Sequence, residues 1–431
     1  MLTWAATNGG DAVKNTRIIA KGGDVRALRW AHEVAKLPWD ESTSLSCAAG
    51  GHLDALVYAL NHGCIYHDRT SVHAAAGGHL EVLEWMSMNE GMIHGRFRRD
   101  GCSTDDPHDH PVNGGNNWIR WHEDMAPEAA LCGQLAVLQW LVGRSGPHIR
   151  GADVAATFAS AAAKGHLDIV RWLRTQRFAN GAQWDARTCT MAAAHGHLEV
   201  LQWAQANGCP WNYECAERAA MNGQLEVLMW ARANGCPWSV EVCAHAAMHG
   251  QLDVLRWSKA HELPWDESAC SAAARAGVLN VLVWLHHNGC PWDYQVCAAA
   301  AGGGHFEVLK WARAAGCPWN EQVCEEAAGE GNLGILQWAH EHHAPWDATA
   351  CSAAAHEGHI SLIQWMRARG CPWNEQCTAH AAHGGHLRLL EYLRENGCPW
   401  EEHTCANAAG GGHLEVLKWA RANGCPWNGW V

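Results

Sequence analysis

Cysteine and histidine carry whatever chemistry this sequence could do. Of 20 Cys, seven stand in a Cys-Pro pair: Cys209, Cys236, Cys290, Cys317, Cys371, Cys398 and Cys425. A Cys-Pro pair can present an axial thiolate to haem, but such a site uses one exposed thiolate beside an apolar slot. Seven copies in one context point instead to a repeated turn, with Cys as a small hydrophobe and Pro stiffening the exit from a helix. Zinc is the second chemistry to test. Tetrahedral sites use close Cys or His pairs such as C-x2-C, and no such pair occurs. Histidine recurs after glycine at His52, His79, His166, His197, His305, His359, His386 and His413. Stacked units would hold these about 10 Å apart, too far to share an ion. The segments "CSTDDPHDH" (Cys102, Asp105, Asp106, His108, His110) and "HEHH" (340–343) read as solvated loops rather than ion sites. There is no phosphate loop, Gly-x-Ser-x-Gly, His-Glu-x-x-His or acid–base cluster outside the repeats. The expectation is a non-enzymatic chain with no catalytic residue, no cofactor and no metal.

These residues are placed by a repeated sentence. "GHLEVLKWARANGCPWN" at 412–428 returns as "GHFEVLKWARAAGCPWN" at 304–320 and "GHLEVLQWAQANGCPWN" at 196–212. From Gly196 onward the glycine that opens it steps by 27 residues to Gly412, and a tryptophan keeps the same step from Trp184 to Trp427. Self-similarity at a fixed short period marks a solenoid. Each unit reads as two short helices. In "WNEQVCEEAAGEG" (319–331), Asn320 is a good cap and Glu321 suits the first turn. Cys324, Ala327 and Ala328 make a narrow apolar stripe, and Gly331 stops the helix. In the second helix, from Leu333, the apolar face is Leu333, Ile335, Leu336 and Trp338 or Ala339. Asn423-Gly424 then Pro426 ends such a helix in the last copy. No segment alternates as a strand. One helix pair cannot bury its own core, so it must stack on its neighbours. The expected fold is all-α, a helix-turn-helix solenoid of about 14 repeats, a curved rod on the order of 130 Å long at ~8–10 Å per unit. Tryptophans on the second helix (Trp203, Trp230, Trp257) are expected in the core. Those in the turn are expected to stack from unit to unit along one edge.

Composition narrows the function. The 27 Trp against 4 Phe and 5 Tyr come from copying a unit, not from general hydrophobicity. A net charge of −13, with no Lys/Arg-rich run, argues against nucleic-acid binding, which displaces counterions with a basic face. No apolar run reaches the ~18 residues of a membrane span. The first residues lack a secretory signal, so the expected location is the cytoplasm, with reduced thiols and no disulfide framework.

The pattern Ala-Ala-x-x-Gly-His-Leu-Glu-Val-Leu, as in Ala408-Ala409 through Gly412 to Leu417, resembles the ankyrin repeat. Gly424-Cys425-Pro426-Trp427-Asn428 stands where that family has Gly-Ala-Asp-x-Asn, and Gly151-Ala152-Asp153-Val154 keeps the more usual spelling. The unit departs from the ~33-residue ankyrin period by being six residues shorter. The gap lies where the family places a β-hairpin finger, so fingers are expected shortened or absent. Cys351 and Cys405 stand at the Leu of the Thr-Pro-Leu-His signature, and Trp419-Ala420 replaces a pair of leucines. This short, Trp-rich form is similar to ankyrin arrays of large DNA viruses and some protists, in which case the cytoplasm would be the host's.

Three places break the meter. Residues 94–120 carry none of the pattern, which divides the chain into repeats at 1–93, a polar loop or decayed repeat at 94–120, and the main array at 121–431. The steps from Gly133 to Gly165 and Gly196 are longer than 27. Trp4-Ala5 followed by Asn8-Gly9 begins in mid-unit, which raises the expectation of a longer parent chain. A partner reads positions that vary. Those just before the marker glycine do: His195, Met221, Asn222, Met248, His249, Arg275, Glu330, His356, Glu357 and His383. In the ankyrin family the matching positions line the groove. The resemblance thus implies a monomeric scaffold binding one or more proteins on its concave face, with neither nucleic acid nor membrane as partner. Two alternatives stand: the substrate-recognition arm of a ubiquitin-ligase adaptor whose F-box is absent, and a metal or haem sensor.

Overall fold

The computed structural model describes residues 12–89, 123–143, 151–176, 178 and 183–427. The loop 94–120, the first eleven residues and Asn428 lie outside them. Among the described residues there are 28 helices and no strand. The chain divides into two compact units, residues 1–219 with 226–236, and residues 220–225 with 237–431.

Within each unit the helices alternate between a first and a second type. Ala186–Ala194 is a first helix and Leu198–Ala206 its second. First helices begin at a capping side chain. Asp185, Asp266, Asp293 and Asp347 accept from the backbone N–H two residues on, at 2.9–3.0 Å. The predicted cap Asn320 does the same for Gln322 N–H at 3.2 Å. Each such bond satisfies one of the donors a helix start leaves open.

Both helices of a repeat end in the same closure. After Ala186–Ala194, Gly196 takes φ 78°, its N–H reaches Ala193 O, and His197 N–H reaches Ala192 O. After Leu198–Ala206, Gly208 takes φ 80°, its N–H reaches Gln205 O, and Cys209 N–H reaches Ala204 O. This left-handed ending satisfies the final carbonyls and turns the chain sharply. It uses six linking residues, 207–212, before the next first helix, which leaves no room for a hairpin finger.

The core follows from side-chain size. First helices present Ala and Cys, as in Cys270, Ala273, Ala274, Cys297, Ala300 and Ala301, all fully buried. Small residues let first helices stack much more closely on one another than second helices do. Second helices contribute Val and Leu, such as Val281, Leu282 and Leu285.

Two expectations are corrected. The second-helix tryptophans Trp203, Trp230 and Trp257 are half-buried, not core, because the Val-Leu pair and the following small residue occupy the inward face. Gly151–Ala163 is a single helix, so Gly151-Ala152-Asp153-Val154 opens a helix and is not the turn its spelling suggests.

Candidate functional site

Three kinds of side chain hold the repeats in place, two of them between repeats and the third within one. The histidine after the marker glycine is the first. His359 Nε2 donates to Gly329 O at 3.0 Å and His79 Nε2 to Ala49 O at 3.0 Å, each carbonyl belonging to the preceding first helix. The ring also lies over the preceding marker glycine. A Cβ on Gly165 would stand 2.6 Å from His197 Nδ1. Gly165 is therefore required twice, for its φ of 76° and for the ring above it.

The second kind is aromatic. Most turn tryptophans pack against the second-helix tryptophan of the next repeat, not against another turn tryptophan; after Trp373 that position is Tyr392. Trp265 lies 6.0 Å from Trp284 and Trp319 5.8 Å from Trp338, both edge to face. The other face of the turn ring is covered from its own second helix. Arg313 sits 4.2 Å over Trp319 and Arg394 3.9 Å over Trp400. "HEHH" does this work too. His340 stacks on Trp346 at 4.2 Å, and His342 lies 4.3 Å from Trp338 with Nδ1 2.8 Å from Trp338 O. No metal-holding group of three or more His, Cys, Asp or Glu occurs among the described residues.

The third kind is the turn thiol. Cys209, Cys317 and Cys371 are buried, and their Sγ–H groups point to the carbonyls of Asp185, Asp293 and Asp347 at 3.5, 3.2 and 3.4 Å. The Cys-Pro turn is thus bound into the start of its own repeat, with no side open to a haem.

The variable residues fall together at the C-terminal ends of first helices. Met221, Met248, Arg275, His356 and His383 are last residues of their helices, and His195, His249, Glu330 and Glu357 are the caps that follow. Asn222 comes directly after Met221. All are exposed except the half-buried Met221. They do not form one site. In the second unit Met248 and Arg275 line a groove of roughly 330 Å³ across helix Tyr294–Gly302. Further along, His356 gathers His383 at 5.6 Å and His380 at 5.8 Å, with Glu357 Oε1 2.7 Å from its Nδ1. Asn222, His249 and Glu330 do not line the groove, and His195 lies in the first unit.

Sequence reasoning missed half of the groove. His245, Gln295, Gln322 and Glu326 line it with Met248 and Arg275, over a floor of Ala272, Ala298 and Ala299. Arg275 Nη2 meets Glu326 Oε2 at 3.5 Å across the intervening helix. Gly302 leaves the space for this, since a Cβ there would lie 3.4 Å from Arg275 Nη1 and against the Glu326 carboxylate. Beside the groove, burial and the like charges of Asp347, Glu326 and Glu321 raise the Glu325 carboxyl above its ordinary range. The legible signal was "CAAAAGG" (297–303), where the last two turns of a first helix carry only small side chains.

Comparison with known proteins places this geometry. Residues 158–205 match the family described as ankyrin repeats (many copies). They cover helices Leu167–Thr175 and Ala186–Ala194 and most of Leu198–Ala206, with the closures at Gly165 and Gly196 and the His197 bond. No curated protein matches the chain. Among solved structures, the pentatricopeptide repeat protein PPR10 in complex with an 18-nt psaJ RNA element is similar at 14% identity and TM-score 0.34, over 83% of this chain and 58% of that one. This chain thus spans under two thirds of that structure's length. PPR10 from maize gives 13% and 0.31, over 97% and 69%. The human ASB11 ankyrin repeat domain gives 15% and 0.27, over 50% and 98%. Among its described residues the chain is built of helical repeats, and residues 158–205 match ankyrin repeats. Its recognised repeats are those at 158–205, and the same closures and bonds recur in the repeats that follow. Among the described residues no helix is long and apolar enough to cross a membrane.

Proposed function

We propose that the chain is a protein-binding scaffold that reads its partner with the first-helix side of the array, and in the second unit with the groove across Tyr294–Gly302. The observation that carries this reading is the groove itself. It combines an apolar floor, a Met248 that leaves 38% of its surface exposed, and the polar rim of Gln295, Gln322 and the Arg275–Glu326 pair. Mixed lining of this kind suits a polypeptide that inserts one apolar side chain and hydrogen-bonds around it. The surplus of acid over base in the chain favours a basic partner segment.

The test is capture of partners from lysate of the source cell by the full chain and by the double variant Arg275→Glu with Glu326→Arg. The swap keeps an ion pair but reverses its polarity, and both positions are solvent-accessible, so the fold is retained. Loss of a partner that wild type captures supports the groove. Equal capture by both proteins sinks it. Recovery of RNA in place of protein overturns the scaffold reading altogether.

A further inference from the structure

Each Cys-Pro cysteine has a second buried thiol beside it, on the first helix of the same repeat. Cys351 Sγ and Cys371 Sγ are 3.6 Å apart. Cys377 neighbours Cys398 in the second unit, and Cys215 neighbours Cys236 in the first.

The last two pairs differ from the others. Elsewhere the first-helix cysteine follows the capping residue by four positions, as in Asp185 to Cys189 and Asp293 to Cys297. After Asn212 and Asn374 it follows by three, at Cys215 and Cys377. The shift puts each sulfur in the first turn of its helix and near a hydroxyl of the preceding repeat. Thr190 Oγ1 lies 3.5 Å from Cys215 Sγ, and Ser352 Oγ lies 3.5 Å from Cys377 Sγ. The turn thiols Cys236 and Cys398 face the same sulfurs and the carbonyls of Asn212 and Asn374, at 3.6 and 3.3 Å. The neighbouring turn thiol is the largest influence, and it brings Cys215 and Cys377 down to about 7.

Volume decides what such a pair can do. Cys377 and Cys398 have no exposed surface. A metal ion about 2.3 Å from each sulfur would add atoms to a filled core and call for further ligands. No third ligand stands by among the described residues. Forming an S–S bond of about 2 Å from sulfurs in contact adds nothing and draws the helix toward the turn.

We infer that Cys377–Cys398 and Cys215–Cys236 are oxidisable dithiols that close to disulfides within their own repeats on reaction with a hydroperoxide. With hydrogen peroxide, the Cys377 thiolate attacks one peroxide oxygen. The O–O bond breaks, the departing hydroxide takes up the thiol's proton as water, and Cys377 becomes a sulfenic acid. Cys398 sulfur then attacks the Cys377 sulfur. The S–O bond breaks, and hydroxide leaves with the Cys398 proton as a second water. Two electrons pass from the sulfurs to the peroxide, giving one disulfide and two waters. Local opening of the Cys-Pro turn admits the peroxide in a rapid pre-equilibrium, so the observed rate is the thiolate's own rate scaled by the fraction open. The product ties a first helix to the turn that ends its repeat, and none of the groove-lining side chains takes part.

The test uses the full chain, titrated with hydrogen peroxide, with remaining thiols alkylated and linkages mapped by peptide mass spectrometry. Cys377–Cys398 and Cys215–Cys236 should link first, ahead of Cys351–Cys371, with dithiothreitol restoring all of them. Ser352→Ala, which removes only a hydroxyl, should slow Cys377–Cys398 several-fold and leave Cys215–Cys236 at its wild-type rate. Cys398→Ser should trap Cys377 as a dimedone-reactive sulfenic acid. Three outcomes would overturn the inference: random linkage, oxidation confined to the exposed Cys132, or uptake of Cu(I) by these thiols with no disulfide on peroxide treatment.

Discussion

His386 reaches back one repeat and donates from Nε2 to the carbonyl of His356, 2.9 Å away. The ring is thereby fixed as the Nε2–H tautomer, because a carbonyl can only accept. Two other repeats perform the same bond with an amide: Gln134 Nε2 to Ala76 O at 3.4 Å and Gln251 Nε2 to Met221 O at 3.2 Å. These repeats share a donor at the right reach, while Val278 fills the same place with apolar packing over Gly250. His386→Gln should keep stability to within about 0.5 kcal/mol, while His386→Ala should lose about 1–2 kcal/mol, the cost of an unmet carbonyl plus lost ring packing. Urea denaturation of the three proteins reads the difference. Equal loss in both variants would mean that the ring's shape, not its N–H, is what matters.

The His197 ring carries a pH dependence. Burial lowers its pKa first, and the charges of His195, His166 and Lys164 lower it further, against the raising effect of the bond to Ala163 O. The folded state therefore binds a proton less readily than the unfolded state, whose pKa is near the ordinary 6.5. The stability this neutral ring contributes is present above about pH 6.5 and is lost as pH falls through its lowered value. Thermal stability should fall as pH drops below about 6.5, and His197→Gln should flatten part of that slope. An unchanged slope would assign the effect to other groups.

Among the described residues three non-glycine positions hold a left-handed backbone: Lys36 at φ 52°, Glu262 at 52° and His343 at 60°. Glu262 and His343 stand where other repeats have the second closure glycine, such as Gly289 at φ 77°. Nothing crowds a Cβ at Gly289, so the conformation alone sets the preference there. Glu262→Gly should stabilise by about 1 kcal/mol, and Gly289→Ala should destabilise by about the same amount. Denaturant midpoints that move the other way would refute the strain argument.

Arg394 does two things at the end of its helix. It covers Trp400 at 3.9 Å and donates from Nη1 to Cys398 O at 2.8 Å. Arg394→Lys keeps the charge but loses the planar fork, and should cost about 0.5–1 kcal/mol. Arg394→Ala should cost more and shift the fluorescence of Trp400 to the red as that face is uncovered. An unshifted emission would show that Trp419, 6.1 Å away, is the cover that counts.

Much of the fold was legible because it is written in backbone-controlling residues. Asn320, Gly331, Gly424 and the 27-residue step name caps, stops and register directly. The tryptophans were read less well. Helical spacing puts Trp203 near the apolar stripe, but spacing cannot say that Val200, Leu201 and Ala204 fill the core first and leave the ring at its edge. The candidate site was half legible. Variation pointed to Met248 and Arg275. Glu326 escaped because its partner Arg275 is 51 positions away, across a helix that contributes only absence of side chain.

Seams in the second unit draw on a small set of joints: imidazole or amide to carbonyl, as at Gln251, His359 and His386, and tryptophan to tryptophan, as at Trp265 and Trp319. Cutting out one whole 27-residue period, Gly277 through Gly303, would rejoin Ala276 to Gly304 and restore a seam of the same kind. Such an edit is silent to the architecture, yet it removes the alanine floor of the groove and brings the repeats of Arg275 and Glu326 side by side. Length in this chain is therefore a heritable variable that folding does not police, and only what the groove must recognise can hold it fixed.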